Sequence, residues 1–261
     1  MKGAIIGDII GSAFIKDNKL TTDFQLFKPI SEFTDDTILT LATADSVLTG
    51  KDYKASLSEW VLRYPEAGYK PEFLTWIKKG AQGTYISEGD GAARRISPIG
   101  FAAKSLEEAL TQAKATTMIT HNIPIRIEAS QAAAAAIFMA KNGATRKEIK
   151  AFTSVHFNYD LTLSIDYWKQ ELNKEGTLST PVPPAIAAFL QASDYEETIR
   201  LAIAIGGPSN TIACIAGALA QAYFKHIPKS ITKRALARLT PDMELLISDF
   251  ENQFMTEDAV I

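Results

Sequence analysis

The stretch GGPSNTIACIAGALAQAYF, residues 206–224, reads as a turn that launches a helix. Gly206 and Gly207 allow the turn, because a residue without Cβ reaches positive φ at little cost. Ser209 or Asn210 is placed to cap the first exposed amides. The helix that follows is an apolar run with Cys214 inside it. The question is whether this turn is only a capped helix start or part of a working site.

The same apolar character recurs at the other end of the chain. GAIIGDIIGS, residues 3–12, spaces Gly3, Gly7 and Gly11 by four. On a helix that spacing forms one stripe, where a second helix can approach closely. A glycine-rich nucleotide loop is the rival reading. It fails because the pattern is not G-x-G-x-x-G and no βαβ unit follows.

Between these ends the helix signals are frequent. A helix is expected from Thr34 to Gly50, apolar on most sides and therefore central. Shorter helices are expected at 54–64 and 71–79, and residues 80–103 read as a long functional loop. Ser105 with Glu108, Thr145 with Glu148 and Asp194 with Glu197 each fit a capping box. Residues 126–142 are alanine-rich and end at Gly143, and two amphipathic stretches fall near 229–239 and 241–254. No run of β-branched alternation competes. The expected fold is all-α, a single domain over 1–261 with helices packed around a buried central pair.

Composition narrows the function classes. The 261 residues are 46% hydrophobic and 22% charged, as in an ordinary folded protein. A net charge of −3 argues against general attraction to nucleic acid or anionic membrane. The basic cluster Lys229–Arg238 reads as a solvated helix face. One cysteine excludes an internal disulfide and points to a reducing compartment. Asp8 interrupts an apolar N-terminal segment too short for a signal peptide, and no segment approaches the roughly 20 apolar residues of a membrane span. A cytoplasmic location is expected.

Four short segments carry possible chemistry. EFTDDTIL, 32–39, puts Asp35 and Asp36 at a helix start beside two threonines. Acids there suit the helix dipole; the same oxygens also suit a hard cation such as Mg²⁺. SEGDGAARRISPIG, 87–100, is either a surface loop or a phosphate cradle built on Gly89 and Gly91. ITHNIP, 119–124, offers His121 and Asn122, as structural residues or as ligand contacts. The fourth is the turn at 206–211.

GAIIGDIIGS, FTDDT, GDGAARRISPIG, THN and GG-x-S-x-T-I-A, in that order, resemble the ADP-ribosylglycohydrolase family over roughly residues 1–225. The resemblance implies an all-α fold, a pair of Mg²⁺ or Mn²⁺ ions beside an ADP-ribose cleft, and cleavage of ADP-ribose from a modified side chain. Thr34, Asp35 and Asp36 match the first group of metal ligands, and the two acids would be the catalytic carboxylates. Gly89, Asp90, Gly91 and Ala92 match the loop that holds ADP-ribose, with Ser97 and Pro98 continuing it. His121 matches the T-H histidine beside the ligand, with Asn122 after it. Gly207 and Ser209 fall in the second matched turn, and Thr211 matches its last metal-binding threonine.

The departures from the family pattern are concentrated. Where the family reads GGD-[ST]-DT, this chain has Gly206-Gly207-Pro208-Ser209-Asn210-Thr211. Pro208 offers no side-chain oxygen, and Asn210 offers only an uncharged one. Ile15 stands about where the family carries a glutamate. Asp90 stands where many members have asparagine, and IPIR follows THN in place of HPEG-like residues. A dinuclear site must offset about four positive charges. Asp35 and Asp36 are the only certain acids; Glu88 or Asp90 is the nearest substitute for the missing glutamate. The expectation is one ion or none, and a protein that binds ADP-ribose or an ADP-ribosylated protein with hydrolysis weak or lost. An active hydrolase with altered metal use is the alternative, and a plain helical scaffold is the third.

Overall fold

The helix signals become fourteen α-helices in the computed structural model, which describes residues 1–15, 21–89, 91–175 and 180–255. In chain order these are α1 (Lys2–Ser12), α2 (Asp35–Thr49), α3 (Tyr53–Arg63), α4 (Pro71–Lys78), α5 (Ser97–Ala102), α6 (Leu106–Met118) and α7 (Pro124–Lys141). Then come α8 (Arg146–Phe157), α9 (Ile165–Glu175), α10 (Val182–Gln191), α11 (Tyr195–Ile205), α12 (Ser209–Phe224), α13 (Lys229–Leu236) and α14 (Pro241–Phe254). Among the described residues there is no strand, and no helix is long and apolar enough to cross a membrane.

The glycine stripe explains the centre. A Cβ on Gly3 would overlap the Gly217 carbonyl, one on Gly7 the Ala213 carbonyl, and one on Gly11 the backbone of Asn210. Only glycine lets α1 and α12 approach this closely. The pair is the buried core: residues 3–11 of α1 and 209–222 of α12 are all buried. Polar groups stitch the seam. Gly3 N donates to Gln221 Oε1 at 2.6 Å, and Tyr195 Oη donates to Gly3 O at 2.8 Å. At the far end Ser209 Oγ donates to Gly11 O at 2.9 Å. α7, α10 and α11 enclose α12.

The sequence places α2 centrally, and its first half is so: Asp36–Ala44 are buried, whereas the last turn is partly exposed. Thr34 caps it, its Oγ1 accepting from Asp36 N at 3.2 Å, and Gly50 ends it at φ 72°. Only one of the three expected capping boxes closes reciprocally, Thr145 with Glu148 on α8. At α6 and α11 the Ser105 and Asp194 caps form, but Glu108 and Glu197 reach one residue further, to the amides of Lys104 and Ser193.

Two expectations are corrected. Residues 80–103 are not one loop: their second half forms a 3-10 turn, Ala93–Arg95, and α5. The short helix exists because Gly100 sits directly on Ala134 and Ile137 of α7, so tertiary contact overrides a glycine-rich sequence. At the opening turn, Gly206 and Gly207 do take positive φ, 91° and 63°. However, neither Ser209 nor Asn210 caps α12; Pro208 is the cap residue and gives no side-chain bond. Both side chains are drawn instead to α1 and α2.

Candidate functional site

Asp8 lies one residue beyond Gly7 on α1 and is fully buried. Its Oδ1 accepts from Thr34 Oγ1 at 2.7 Å and Asn210 Nδ2 at 3.2 Å. Its Oδ2 accepts from Thr37 Oγ1 at 2.6 Å and from the amides of Thr34 and Thr37 at 2.9 and 3.2 Å. A buried carboxylate requires such donors. Burial pushes the Asp8 carboxyl up, and the bonds from Thr37 and Thr34 pull it back. One side chain thus joins α1 to the starts of α2 and α12.

Asp36 is equally buried, but only its Oδ2 accepts hydrogen bonds. Thr211 Oγ1 donates to its Oδ2 at 3.0 Å and Asn210 Nδ2 at 3.2 Å, while its Oδ1 forms an ion pair with Arg94 Nη1. Burial pushes the Asp36 carboxyl well above the usual range, and the Arg94 charge opposes that most strongly. The same guanidinium holds Asp35, with Nη2 to Oδ2 at 2.5 Å and Nη1, shared with Asp36, to Oδ1 at 3.3 Å. The backbone beneath is fixed, since Arg94 O accepts from Cys214 Sγ at 3.1 Å and Thr40 Oγ1 at 3.4 Å.

Arg95, next in sequence, turns the other way. It is 1% exposed and donates to Thr120 Oγ1 at 2.6 Å and Thr116 O at 3.4 Å, with its guanidinium over the Tyr53 ring. Thr120 Oγ1 in turn shares a proton with His121 Nδ1 at 2.8 Å. Burial, then the charges of Arg95 and Arg94, push His121 down to about 2, so the ring is neutral. A neutral imidazole offers one donor and one acceptor.

Of these groups Asp35, Arg94, Arg95, His121 and Thr211 border a cavity of about 250 Å³. Its lining includes the cations Lys70, Arg94 and Arg95 and the aromatic rings of Phe73 and Tyr85. A second cavity, about 600 Å³, opens on the far side of Asp35 and is bordered by Thr34, Asn210, Ile15, Glu32 and Glu66. Asp35 lines both.

The sequence-predicted residues separate into groups. Thr34, Asp35, Asp36, Asn210 and Thr211 are brought together where α2 and α12 begin. Gly89, Gly91 and His121 line the smaller cavity with Asp35 and Thr211. Ala92 and Ser97 are buried behind it, and Ser97 Oγ has no hydrogen-bond partner. Asn122 is exposed, Gly207 faces Leu172 of α9, and Ser209 turns to Gly11; none of these borders the cavity. Glu88 is exposed outside it, and Asp90 lies outside the described residues. Ile15 does face the junction, in the second cavity.

Sequence reasoning missed Asp8, Arg94 and Arg95 as individuals. Asp8 was legible as an acid inside an apolar helix, which demands partners. Nothing local distinguishes the two arginines. Asn210 also differs from its expected role as an oxygen donor. Its neighbours Asp8 Oδ1, Thr34 Oγ1 and Asp36 Oδ2 all accept, so the amide nitrogen is the end that fits. Among the described residues no group of three or more His, Cys, Asp or Glu is arranged to hold a metal ion.

Comparison with known proteins agrees with this architecture. The sequence matches the ADP-ribosylglycohydrolase family over residues 1–259. It is 24% identical to ADP-ribosylarginine hydrolase Tri1 of Pseudomonas putida (strain GB-1), covering 85% of this chain and 70% of that protein. It is 23% identical to ADP-ribosylhydrolase ARH3 of Xenopus tropicalis, covering 85% of each. A solved structure described as an ADP-ribosylglycohydrolase-related protein complex superposes with a TM-score of 0.65 at 23% identity, over 97% of both chains.

Proposed function

The chain belongs to the ADP-ribosylglycohydrolase family, and on that premise we propose that it binds ADP-ribose, or a protein bearing it, with hydrolysis weak or lost. The observation that carries the reading is the smaller cavity. Its lining combines cationic and aromatic side chains beside a polar junction rich in hydrogen-bond donors.

The chemistry of the lining supports the ligand class. Lys70 and Arg95 supply positive charge for a diphosphate, and the glycine backbone at Gly89 and Gly91 permits close approach. Phe73 and Tyr85 present ring surface to a planar base. His121, neutral, suits a ribose hydroxyl. At about 250 Å³ the cavity falls just below the roughly 300–1,000 Å³ of common ligand sites, so it would enclose part of ADP-ribose.

Hydrolysis makes a further demand. An oxocarbenium-like transition state needs a placed, activated water. In this family a divalent pair would polarise that water, and Thr34, Asp35, Asp36, Asn210 and Thr211 are the residues that would hold it. They do not fit the task. Pro208 has no donor oxygen, Asn210 presents N–H, and Ile15 adds an apolar group. No step through a metal follows from these residues. An active hydrolase using one or two Mg²⁺ ions remains the competing reading, because the five residues do converge at one junction.

Calorimetric titration with ADP-ribose, followed by an assay of its release from ADP-ribosylated arginine and serine, tests the reading. Saturable binding with release at the blank rate is the expected result. Mg²⁺-dependent turnover would establish the competing reading, and failure to bind would leave only a helical scaffold. The lone thiol Cys214 supports a reducing, cytoplasmic setting.

A further inference from the structure

Arg94 is where the junction departs most from a metal centre. Count the carboxylate oxygens. Both of Asp35 face the Arg94 guanidinium. Those of Asp36 face Arg94 on one side, and Asn210 and Thr211 on the other. Those of Asp8 face Thr34, Thr37 and Asn210. Five of the six oxygens therefore accept a hydrogen bond, and the sixth, Asp36 Oδ1, has the Arg94 charge as its partner. A hard divalent ion needs oxygens that are free to turn toward it.

The guanidinium is also held in place from behind. Its backbone carbonyl is anchored to α12 by Cys214 and to α2 by Thr40. Its side chain is 19% exposed and that of Asp36 is 0% exposed. A planar fork between two carboxylates is the geometry arginine supplies best. Removing it would leave Asp36 buried beside Asp8 and Asp35 with no cation.

We propose that the Arg94 guanidinium is a built-in counter-cation that replaces a metal ion at Asp35 and Asp36, so that the junction is complete without divalent metal and excludes it. This deepens the reading above by naming what stands in for the metal. Its test reads metal binding alone, so its failure is distinguishable from failure to bind ADP-ribose.

The experiment titrates the full chain with Mn²⁺ and follows free Mn²⁺ by electron paramagnetic resonance. Melting is recorded in parallel with Mg²⁺ against NaCl of equal ionic strength. For the wild type, the free Mn²⁺ signal should match buffer, and Mg²⁺ should shift Tm no more than NaCl does. For Arg94→Met, which keeps the stem and removes the charge, Mn²⁺ should be taken up stoichiometrically. Mg²⁺ should then raise Tm in a concentration-dependent way, as ligand linkage requires. If Arg94→Met does not fold, Arg94→Gln takes its place, with the same gain expected. Stoichiometric Mn²⁺ uptake by the wild type overturns the proposal whatever the variants do. So does a folded Arg94 variant that gains no Mn²⁺ binding.

Discussion

The α1–α12 seam and the junction where its end meets α2 are built by opposite means. Along the seam, contact is made by absence: Gly3, Gly7, Gly11 and Gly217 have no side chain, and backbones meet. At the junction, contact is made by excess: Asp8, Asp36, Asn210 and Arg94 crowd together, bound by hydrogen bonds and by the Arg94–Asp36 ion pair. The seam tolerates no added atom. The junction tolerates no lost partner. Close packing and full hydrogen bonding are two separate ways of making a core intolerant of change.

The sharpest way to break the seam is Gly7→Ala. Helix propensity alone would favour alanine by about 1 kcal/mol. Overlap with the Ala213 carbonyl should reverse the sign and cost about 3 kcal/mol. Urea unfolding measures it, and a stabilised variant would show that the two helices are further apart than described. At the junction, Asp8→Ala strands the hydroxyls of Thr34 and Thr37 and the Thr34 amide, at a cost of about 3 kcal/mol or a little less. An unchanged midpoint in the same assay would mean that Asp8 is dispensable.

Asn210→Asp is subtler, because it keeps the shape and reverses the hydrogen bonding. It sets a carboxylate against those of Asp8 and Asp36, and a loss of about 2 kcal/mol is expected at neutral pH. A neutral effect would mean that the amide oxygen, not the nitrogen, faces the junction. Near neutral pH the smallest effect is that of pH itself. His121 is held to about 2 when folded, mainly by burial, against a usual value near 6.5. Below 6.5 the unfolded chain therefore binds one proton more than the folded one, and stability falls as pH drops toward 2. Above 6.5 this contribution is complete and flat. NMR of the His121 ring should show no titration between pH 8 and 5; a midpoint near 6.5 would contradict the buried placement.

Much of the seam was legible in the sequence, and less of the junction. A four-residue glycine spacing states its own geometry, since a stripe on one helix needs only local periodicity. The starts of α2, α8 and α11 were legible for the same reason, because caps are made within four residues. The junction joins residue 8 to 34, 36, 94 and 210, and its bonds depend on which way each side chain turns after folding. Thr34, Asp35 and Asp36 were found through their resemblance to a known pattern. Arg94 was not, because RR at 94–95 gives no sign that one arginine serves the acids and the other serves Thr120. The cap expected of Ser209 and Asn210 failed for a related reason: α1 and α2 offer both side chains stronger partners than their own helix does.

The seam has a consequence in time. Gly3 meets Gly217 and Gln221, so the first helix finds its partner only after more than two hundred further residues have been made. At about 5–20 residues per second on the ribosome, that is roughly 10–40 s of waiting. Throughout it, an apolar helix that is buried almost end to end in the finished molecule lacks the partner that covers its glycine stripe. Folding of the centre is therefore a late event, set by closure of a long loop rather than by the quality of any single helix.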